Sequence, residues 1–346
     1  MNPSDRVRLA VVGLGYWGPN LLRNLVDLEE AEVVLMCDER PERLALWSRR
    51  YPAVETTTDY LQVVSDDRVD AVAVATPVAT HFDLAARALE FGKHVFVEKP
   101  IAASSEEAAE LIRIARKEGR LLMPGHTFLY SPPVVFIREL IESGTLGDLY
   151  FVSTSRVNLG LHQPDVSVAW DLGPHDFSIL RYWLGESPTS VSALSRACVI
   201  PGTPDVAFIN MTYPSGTIAH IELAWLAPSK LRRTAVVGSE RMVVYDDMSP
   251  EPVRVFNSGA SLKDPESFGE YQLSYRTGDI VSPRIDGVEP IYKQMEDFCS
   301  AVRDRTEPRS SARIGLEVVQ TIEMVDRSLL SGGTPVGLDS AKFNAA

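Results

Sequence analysis

Asp171 and His175 stand four residues apart in VAWDLGPHDFSILRYWLG, a stretch that reads as a helix with an irregular start. On a helix that spacing puts both side chains on one face. A carboxylate beside an imidazole is a usable acid–base pair. The carboxylate orients the ring or supports its charged form, and the ring titrates at about 6.5 when unperturbed. A surface i,i+4 pair, or a histidine satisfied in a core, is an equally good reading of the spacing alone. A second stretch, VFVEKPIA, carries Glu98, Lys99 and Pro100 at the end of an apolar run. If that run is a strand of an open α/β sheet, its carboxyl end borders the ligand crevice. A lysine there can donate a hydrogen bond to a substrate oxygen that gains negative charge. Most lysines simply sit on the surface, and position in the sheet is what tilts this one toward chemistry.

The element that would make these groups a redox site lies near the amino terminus. VVGLGYWGPN, residues 11–20, holds Gly13, Gly15 and Gly18 in a GxGxxG pattern. The pattern alone is weak. It gains weight because it follows an apolar strand and opens a helix. Gly13 then serves the tight turn, Gly15 the approach of a pyrophosphate to the backbone, and Gly18 the close packing of helix on strand. The helix N-terminus supplies free N–H groups and a positive dipole end. An acidic residue is expected about 20 positions on, and Asp38 stands there, at the end of the second strand. A carboxylate at that place binds ribose hydroxyls and repels a 2′-phosphate. The reading is therefore NAD, with NADP less favoured, although Arg40 and Arg43 lie close enough to hold a phosphate. Tyr16 and Trp17 fill the two x positions. One is expected along the nicotinamide-side crevice and the other packed under the turn.

The elements needed to position these residues are legible in outline. Apolar runs ending at Val12, Asp38, Pro77 and Pro100, and the run RLLMPG, alternate with amphipathic segments. Fully apolar strands separated by helices call for a parallel sheet covered on both faces. The expected fold class is thus a doubly wound α/β Rossmann domain over residues 1–124. An α+β domain with an open, mainly antiparallel sheet is expected over 125–346. There, one helix is expected at about 134–143, and runs such as IAHIELAWL alternate apolar and polar residues. YPSGT reads as a hairpin turn. Helices at 290–304 and 312–330 are expected to cover one face of that second sheet, and its open face is a natural oligomerisation surface.

Bulk properties set outer bounds. The chain has 346 residues, with 47 Asp and Glu against 34 Lys and Arg, a net charge of −13. Such an excess of negative charge argues against nucleic acid as a partner. Three widely spaced cysteines show no metal-ligand spacing and suit reduced thiols in the cytoplasm. No metal site is expected. No signal peptide or membrane span is expected, since no apolar run of about 18 residues occurs. The small, polar tail after Ser331 is expected to be loosely held.

Taken in order, the glycine turn at 13–18, ATPVATH at 75–81, EKP at 98–100 and the Asp-x-x-x-His at 171–175 resemble the Gfo/Idh/MocA oxidoreductases over nearly the full chain. The resemblance implies NAD, a Rossmann domain followed by an open-sheet domain, and a homodimer or homotetramer built through that sheet. It implies that Lys99, Asp171 and His175 line the substrate pocket, with His175 as acid/base and Lys99 polarising the reacting oxygen. It also implies that Thr76, Pro77, His81 and Glu98 lie near the cofactor. GHTFLYSP (125–132) and SRVNLG (155–160) look like members acting on nucleotide-linked sugars oxidised at C3. This adds His126, Tyr130, Arg156 and Asn158 as substrate contacts, since Arg156 and Asn158 fall on the same side of a strand. The lead-in HQPDVSVAW departs from the glycine-rich one of many members. The basic KLRR at 230–233 reads as a solvated strand end. The functional readings are an NAD-dependent nucleotide-sugar dehydrogenase, a ketoreductase or inositol or free-sugar dehydrogenase, and, from another class, a non-catalytic NAD-binding sensor.

Overall fold

The computed structural model describes residues 6–160, 162, 166–263 and 272–338. The chain divides into two compact units. Among the described residues, the first comprises 6–131 and 288–320, and the second those within 132–287 together with 321–338.

In the first unit, strands β1 (Val7–Val12), β2 (Ala31–Cys37), β3 (Glu55–Thr57), β4 (Ala71–Val74), β5 (His94–Glu98) and β6 (Leu122–Gly125) alternate with helices. These are α1 (Gly18–Asp27), α2 (Pro41–Ser48), α3 (Tyr60–Ser65), α4 (His81–Glu90) and α5 (Ser105–Glu118). All pairings are parallel, in the order β3-β2-β1-β4-β5-β6. The order reverses between β1 and β4, which opens a crevice at their carboxyl ends. The core is the predicted one: Leu9 to Val11, Val72 to Val74 and Val95 to Val97 are fully buried. Such burial on both faces is why these strands are apolar throughout rather than alternating.

In the second unit, α6 (Pro132–Glu142), β7 (Leu149–Val157) and α7 (Val168–Leu184) precede a run of strands. These are β8 (Ser190–Arg196), β9 (Val206–Thr212), β10 (Ile218–Ala224), β11 (Leu231–Gly238), β12 (Met242–Asp246), β13 (Val253–Lys263) and β14 (Gln272–Val281). The nine-stranded sheet runs β14-β13-β12-β11-β7-β10-β9-β8-β15, where β15 is Val336–Gly337. Only β7 and β10 pair in parallel; the rest are antiparallel. The hairpin at YPSGT is present, with Tyr213 N–H donating to the Thr217 carbonyl and Gly216 at φ +87°.

Two expectations change. The boundary falls at 131/132, so GHTFLYS belongs to the first unit. Helix α8 (Pro290–Asp304) also returns there rather than covering the second sheet; its Phe298 meets Phe96 of β5 edge-on, at 5.8 Å between centroids. Sequence distance hid this, because an amphipathic stripe says that a helix is covered, not by what. Helix α9 (Ala312–Leu330) is divided between the two units. The last residues of the tail, 339–346, lie outside those described.

One polar contact fixes the second unit's layers. On β7, Val152, Thr154 and Arg156 face the covered side. The buried Arg156 guanidinium donates from Nε to Asp176 Oδ2 at 2.6 Å, on α7, and Thr154 donates to the same carboxylate at 3.1 Å. Thr234 of β11 extends the layer to Thr154 at 3.0 Å. Arg156→Met would strand the Asp176 charge and lower the unfolding free energy by about 3–5 kcal/mol. The double variant Arg156→Met/Asp176→Leu should recover most of that loss, as read from urea unfolding followed by circular dichroism.

Candidate active site

The glycine turn closes by direct backbone contact. Gly13 has φ +89°, and a Cβ there would lie 2.6 Å from the Ala75 carbonyl oxygen. A Cβ on Gly18 would fall 1.8 Å from the Gly13 carbonyl oxygen. Gly15 is different, because a Cβ there meets nothing nearer than Arg40 at 3.9 Å. Two glycines are thus required by the protein itself, and the middle one leaves an open cradle. Helix α1 starts at this cradle with no side-chain cap and no acidic residue in its first turn. By contrast, α5 is capped by Ser104 and carries Glu106 and Glu107. The N–H groups of α1 therefore keep their capacity for an anion.

Asp38 stands just past the carboxyl end of β2, beside the turn. Its buried carboxylate accepts from Leu14 N at 2.7 Å, from Arg40 N at 3.0 Å and from Arg40 Nε at 3.1 Å. Burial raises its pKa, but these donors outweigh burial and hold it below the usual carboxylate range. Arg40 is thus drawn back onto Asp38, beside Gly15.

At the other side of the crevice, Glu98 ends β5 and faces Gly125 at the end of β6. A Cβ on Gly125 would lie 2.8 Å from Glu98 Oε2. Burial pushes the Glu98 pKa up to about 7, against the opposing effects of Lys99, the Lys99 N–H and the Trp17 indole. Lys99 follows, half-buried, before a cis bond to Pro100. Trp17 is half-buried and Tyr16 is 89% exposed. Of the two aromatics, then, Trp17 turns toward Glu98, while Tyr16 stands on the surface and does not pack under the turn.

Other residues expected near a ligand are used differently. Thr76 abuts the glycine turn, its Cγ2 2.8 Å from where a Gly13 Cβ would be, while Pro77 is exposed. His81 is buried, with Nδ1 2.8 Å from the Pro100 carbonyl oxygen and Nε2 2.9 Å from that of Thr76. It braces the loops after β4 and β5 rather than opening to the crevice. Tyr130 donates to Asp297 at 2.6 Å and accepts from Ser310 N at 3.0 Å, so its hydroxyl is spent inside the first unit. Arg156, held by Asp176, is likewise a structural cation where a substrate contact was expected. His126 is fully buried, and burial brings its pKa down to about 3 with help from the Lys99 charge.

In the second unit Asp171 and His175 lie one turn apart on α7, both half-buried. Asp171 Oδ2 accepts from Trp225 Nε1 at 3.1 Å. Trp225, buried just past β10, also packs on His162, 5.4 Å between rings, and His162 Nε2 lies 3.6 Å from Asp205. Asn158 is half-buried beside Gly160. Trp225 and His162 escaped the sequence reading, since neither falls in a motif; the only signal was the tryptophan ending an alternating strand. Of the lead-in at 162–170, residues 163–165 lie outside those described.

A family model described as "Oxidoreductase family, NAD-binding Rossmann fold" matches residues 7–126, and one described as "GFO/IDH/MocA C-terminal domain" matches 134–244. The chain belongs to the Gfo/Idh/MocA oxidoreductases. Among similar proteins, the scyllo-inositol 2-dehydrogenase (NAD(+)) of Bacillus subtilis is 28% identical, covering 96% of this chain and 97% of its own. The UDP-N-acetylglucosamine 3-dehydrogenase of Acidithiobacillus ferrooxidans is 27% identical, over 73% of this chain and 78% of its own. The crystal structure of GenD2 from gentamicin A biosynthesis, in complex with NAD, superposes with a TM-score of 0.82 at 24% identity, covering 97% of each chain. This Gfo/Idh/MocA member is therefore an oxidoreductase with an NAD-binding Rossmann domain, and its relatives include sugar and polyol dehydrogenases. The residues fit the cofactor: an open cradle at Gly15, an unneutralised helix start, and a buried carboxylate at Asp38, just past β2.

The glycines separate two effects. Gly15→Ala should leave the thermal midpoint within about 2 °C while weakening NAD more than about tenfold, because the new methyl occupies only the cradle. Gly18→Ala should lower the midpoint itself by several degrees, because it forces helix from strand. Differential scanning calorimetry and isothermal titration read the two.

Proposed function

We propose that this protein is an NAD-dependent sugar dehydrogenase that oxidises a secondary alcohol, at C3 of a nucleotide-activated hexose. The observation that carries the reading is the placement of Lys99. It directly follows the buried end of β5, at the carboxyl edge of the Rossmann sheet and across the β1/β4 reversal from Asp38, which supports a place beside the nicotinamide. The bound cofactor supplies the hydride acceptor. In this reading Lys99 hydrogen-bonds the reacting oxygen and stabilises charge on it. His175 takes the hydroxyl proton, and Asp171, held by the Trp225 indole, orients the imidazole. His126 and Asn158 remain candidate polar contacts. The nucleotide-sugar choice draws support from the UDP-N-acetylglucosamine 3-dehydrogenase relative. The inositol relative, covering more of the chain, favours a polyol as the second reading.

The open face of the second unit's sheet exposes Phe151, Leu194, Phe208 and Ile218, and we assign this face to a homodimer or homotetramer. Among the described residues no helix is long and apolar enough to cross a membrane. A cytoplasmic setting suits the free cysteines Cys37, Cys198 and Cys299.

A panel of nucleotide sugars, free sugars and inositols, scored by NADH formation, distinguishes the two readings, and no turnover on any of them would favour a sensor. Lys99→Ala should leave NAD affinity within about threefold and lower kcat by about 10²–10³-fold. Full activity in that variant would remove Lys99 from the reaction. Phe208→Glu with Ile218→Glu should convert the oligomer to monomer by light scattering.

A further inference from the structure

Buried polar groups in the first unit are mostly satisfied. Lys93 Nζ donates to the carbonyls of Asp66 and Val69, each at 2.8 Å. Both ring nitrogens of His81 and the hydroxyl of Tyr130 have partners. Elsewhere in the unit Trp47, Gln294 and Gln320 leave one atom each unpaired. Against that background, Trp17 Nε1, Glu98 Oε1 and both ring nitrogens of His126 are buried without a well-formed hydrogen bond, although the indole lies close enough to Glu98 to lower its pKa. Leaving such atoms unpaired costs about 1–3 kcal/mol each, so their concentration calls for a ligand. All three residues lie at the carboxyl edge of the sheet. Trp17 is in the glycine turn, Glu98 ends β5, and His126 follows Gly125, the residue paired with Glu98. With Asp38 on β2 holding the adenosine side, strand order puts β5 and β6 under the nicotinamide half.

The chemistry of the set is specific. An indole offers one donor, a neutral imidazole one donor and one acceptor, and a carboxyl a donor and an acceptor or two acceptors. A primary carboxamide presents the complement, one carbonyl oxygen and one NH₂. Resting on the NAD-dependent reading above, we propose that Trp17, Glu98 and His126 form a dry seat for the nicotinamide carboxamide, and that Glu98 gives up a proton to solvent when the oxidised cofactor binds but not when the reduced one does.

The reason is charge. The oxidised ring is cationic and the reduced ring neutral, while Glu98 has little water to stabilise its anion. Lys99 is the charged neighbour along the chain, and His126 is the titratable neighbour on β6. Gly125 and Trp17 close the remaining sides. Burial, opposed by the Lys99 charge, the Lys99 N–H and the Trp17 indole, leaves the Glu98 carboxyl titrating at about 7. A second cation beside it favours the carboxylate: the O–H bond breaks, the electron pair stays on the carboxylate, and the proton goes to buffer. A ligand that lowers a pKa binds more tightly as pH rises toward the free-state value and levels off above it. Affinity for NAD⁺ should therefore climb up to about 7 and flatten beyond, whereas affinity for NADH should be flat throughout.

Isothermal titration of the full chain with NAD⁺ and with NADH, in buffers of different ionisation heat, measures both effects. The expected result at pH 7 is release of about half a proton with NAD⁺ and none with NADH. Between pH 6 and pH 8, NAD⁺ affinity should rise about fivefold to tenfold. Glu98→Gln, which keeps the shape and an amide in place of the carboxyl, should bind both forms with no proton release and no pH slope. An acetylpyridine analogue, which keeps the carbonyl but lacks the NH₂ that Glu98 and His126 would read, should bind the wild type more weakly than NAD⁺, and Trp17→Phe, which removes only the donor to the carbonyl, should weaken both by a similar factor. Proton release equal for NAD⁺ and NADH, or unchanged in Glu98→Gln, would overturn the proposal while leaving NAD binding intact. Failure of the wild type to bind either form would instead overturn the NAD-dependent reading.

Discussion

The close approach of Gly18 to the Gly13 carbonyl is the constraint on which the first unit's chemistry depends. With 1.8 Å between that oxygen and the place of any Cβ, only glycine lets α1 begin directly beyond the end of β1. That placement fixes three things together. The uncapped N–H groups of α1 open onto the crevice, Leu14 N reaches the Asp38 carboxylate at 2.7 Å, and Trp17 is swung toward Glu98. A helix started half a turn later would keep its fold and lose all three. Helix packing, anion capacity and the orientation of one aromatic are therefore a single backbone event rather than separate adaptations.

The second unit solves a different positioning problem, the rotation of α7 about its own axis. Residues on a helix advance about 100° each. Asp176 is pulled inward by Arg156 of β7, and Asp171 is held by Trp225 at the end of β10. Two anchors at different azimuths leave the helix no freedom to roll, and they set the direction of His175, which lies between them in sequence. A buried ion pair is poor value as a source of stability. Its use here is angular: an apolar contact in place of Arg156–Asp176 would fill the space without specifying the rotation so narrowly.

What was legible in the sequence follows from which rules are local. The glycine turn, Asp38 and Lys99 could be read because each rests on a strand end and its neighbours. The doubly wound parallel sheet follows from alternating apolar strands and helices, but its short edge strand β3, with only Thr57 buried, carried no apolar run to read. Arg156 was misread for a physical reason. Alternation puts Arg156 and Asn158 on one side of a strand, but not on the open or the covered side, and the residue that decides it, Asp176, lies on another element. For Tyr130 and His81 the motifs gave no sign that the side-chain polar atoms are engaged within the protein, because motifs mark residues near a ligand without saying whether the side chain or only the backbone serves it. The fate of α8 depended on a partner, Phe96, about 200 residues away, and hydrophobic periodicity carries no address.

The polar bookkeeping of the first unit makes sense of where these local rules fail. A carboxylic acid with one oxygen unpaired, an indole and an imidazole with both nitrogens unpaired are a poor choice for a core, and sequences that fold well avoid them. The same unit shows the ordinary solution three times, in Lys93, His81 and Tyr130, each buried with its donors and acceptors matched. Among the unit's described residues, Trp47, Gln294 and Gln320 each leave one buried polar atom unmatched, whereas four unmatched atoms fall at the carboxyl ends of β5 and β6 and in the turn facing them. Unpaired polarity in a dry place is free energy held until a complementary group arrives, because nothing must first be desolvated on the protein's side. Water would satisfy these atoms individually, but it would not distinguish a cationic ring from a neutral one. A buried carboxyl beside a single lysine does distinguish them, because its ionisation is nearly balanced and one more positive charge decides it. On this view Glu98 is placed where its energetic cost is also its sensitivity.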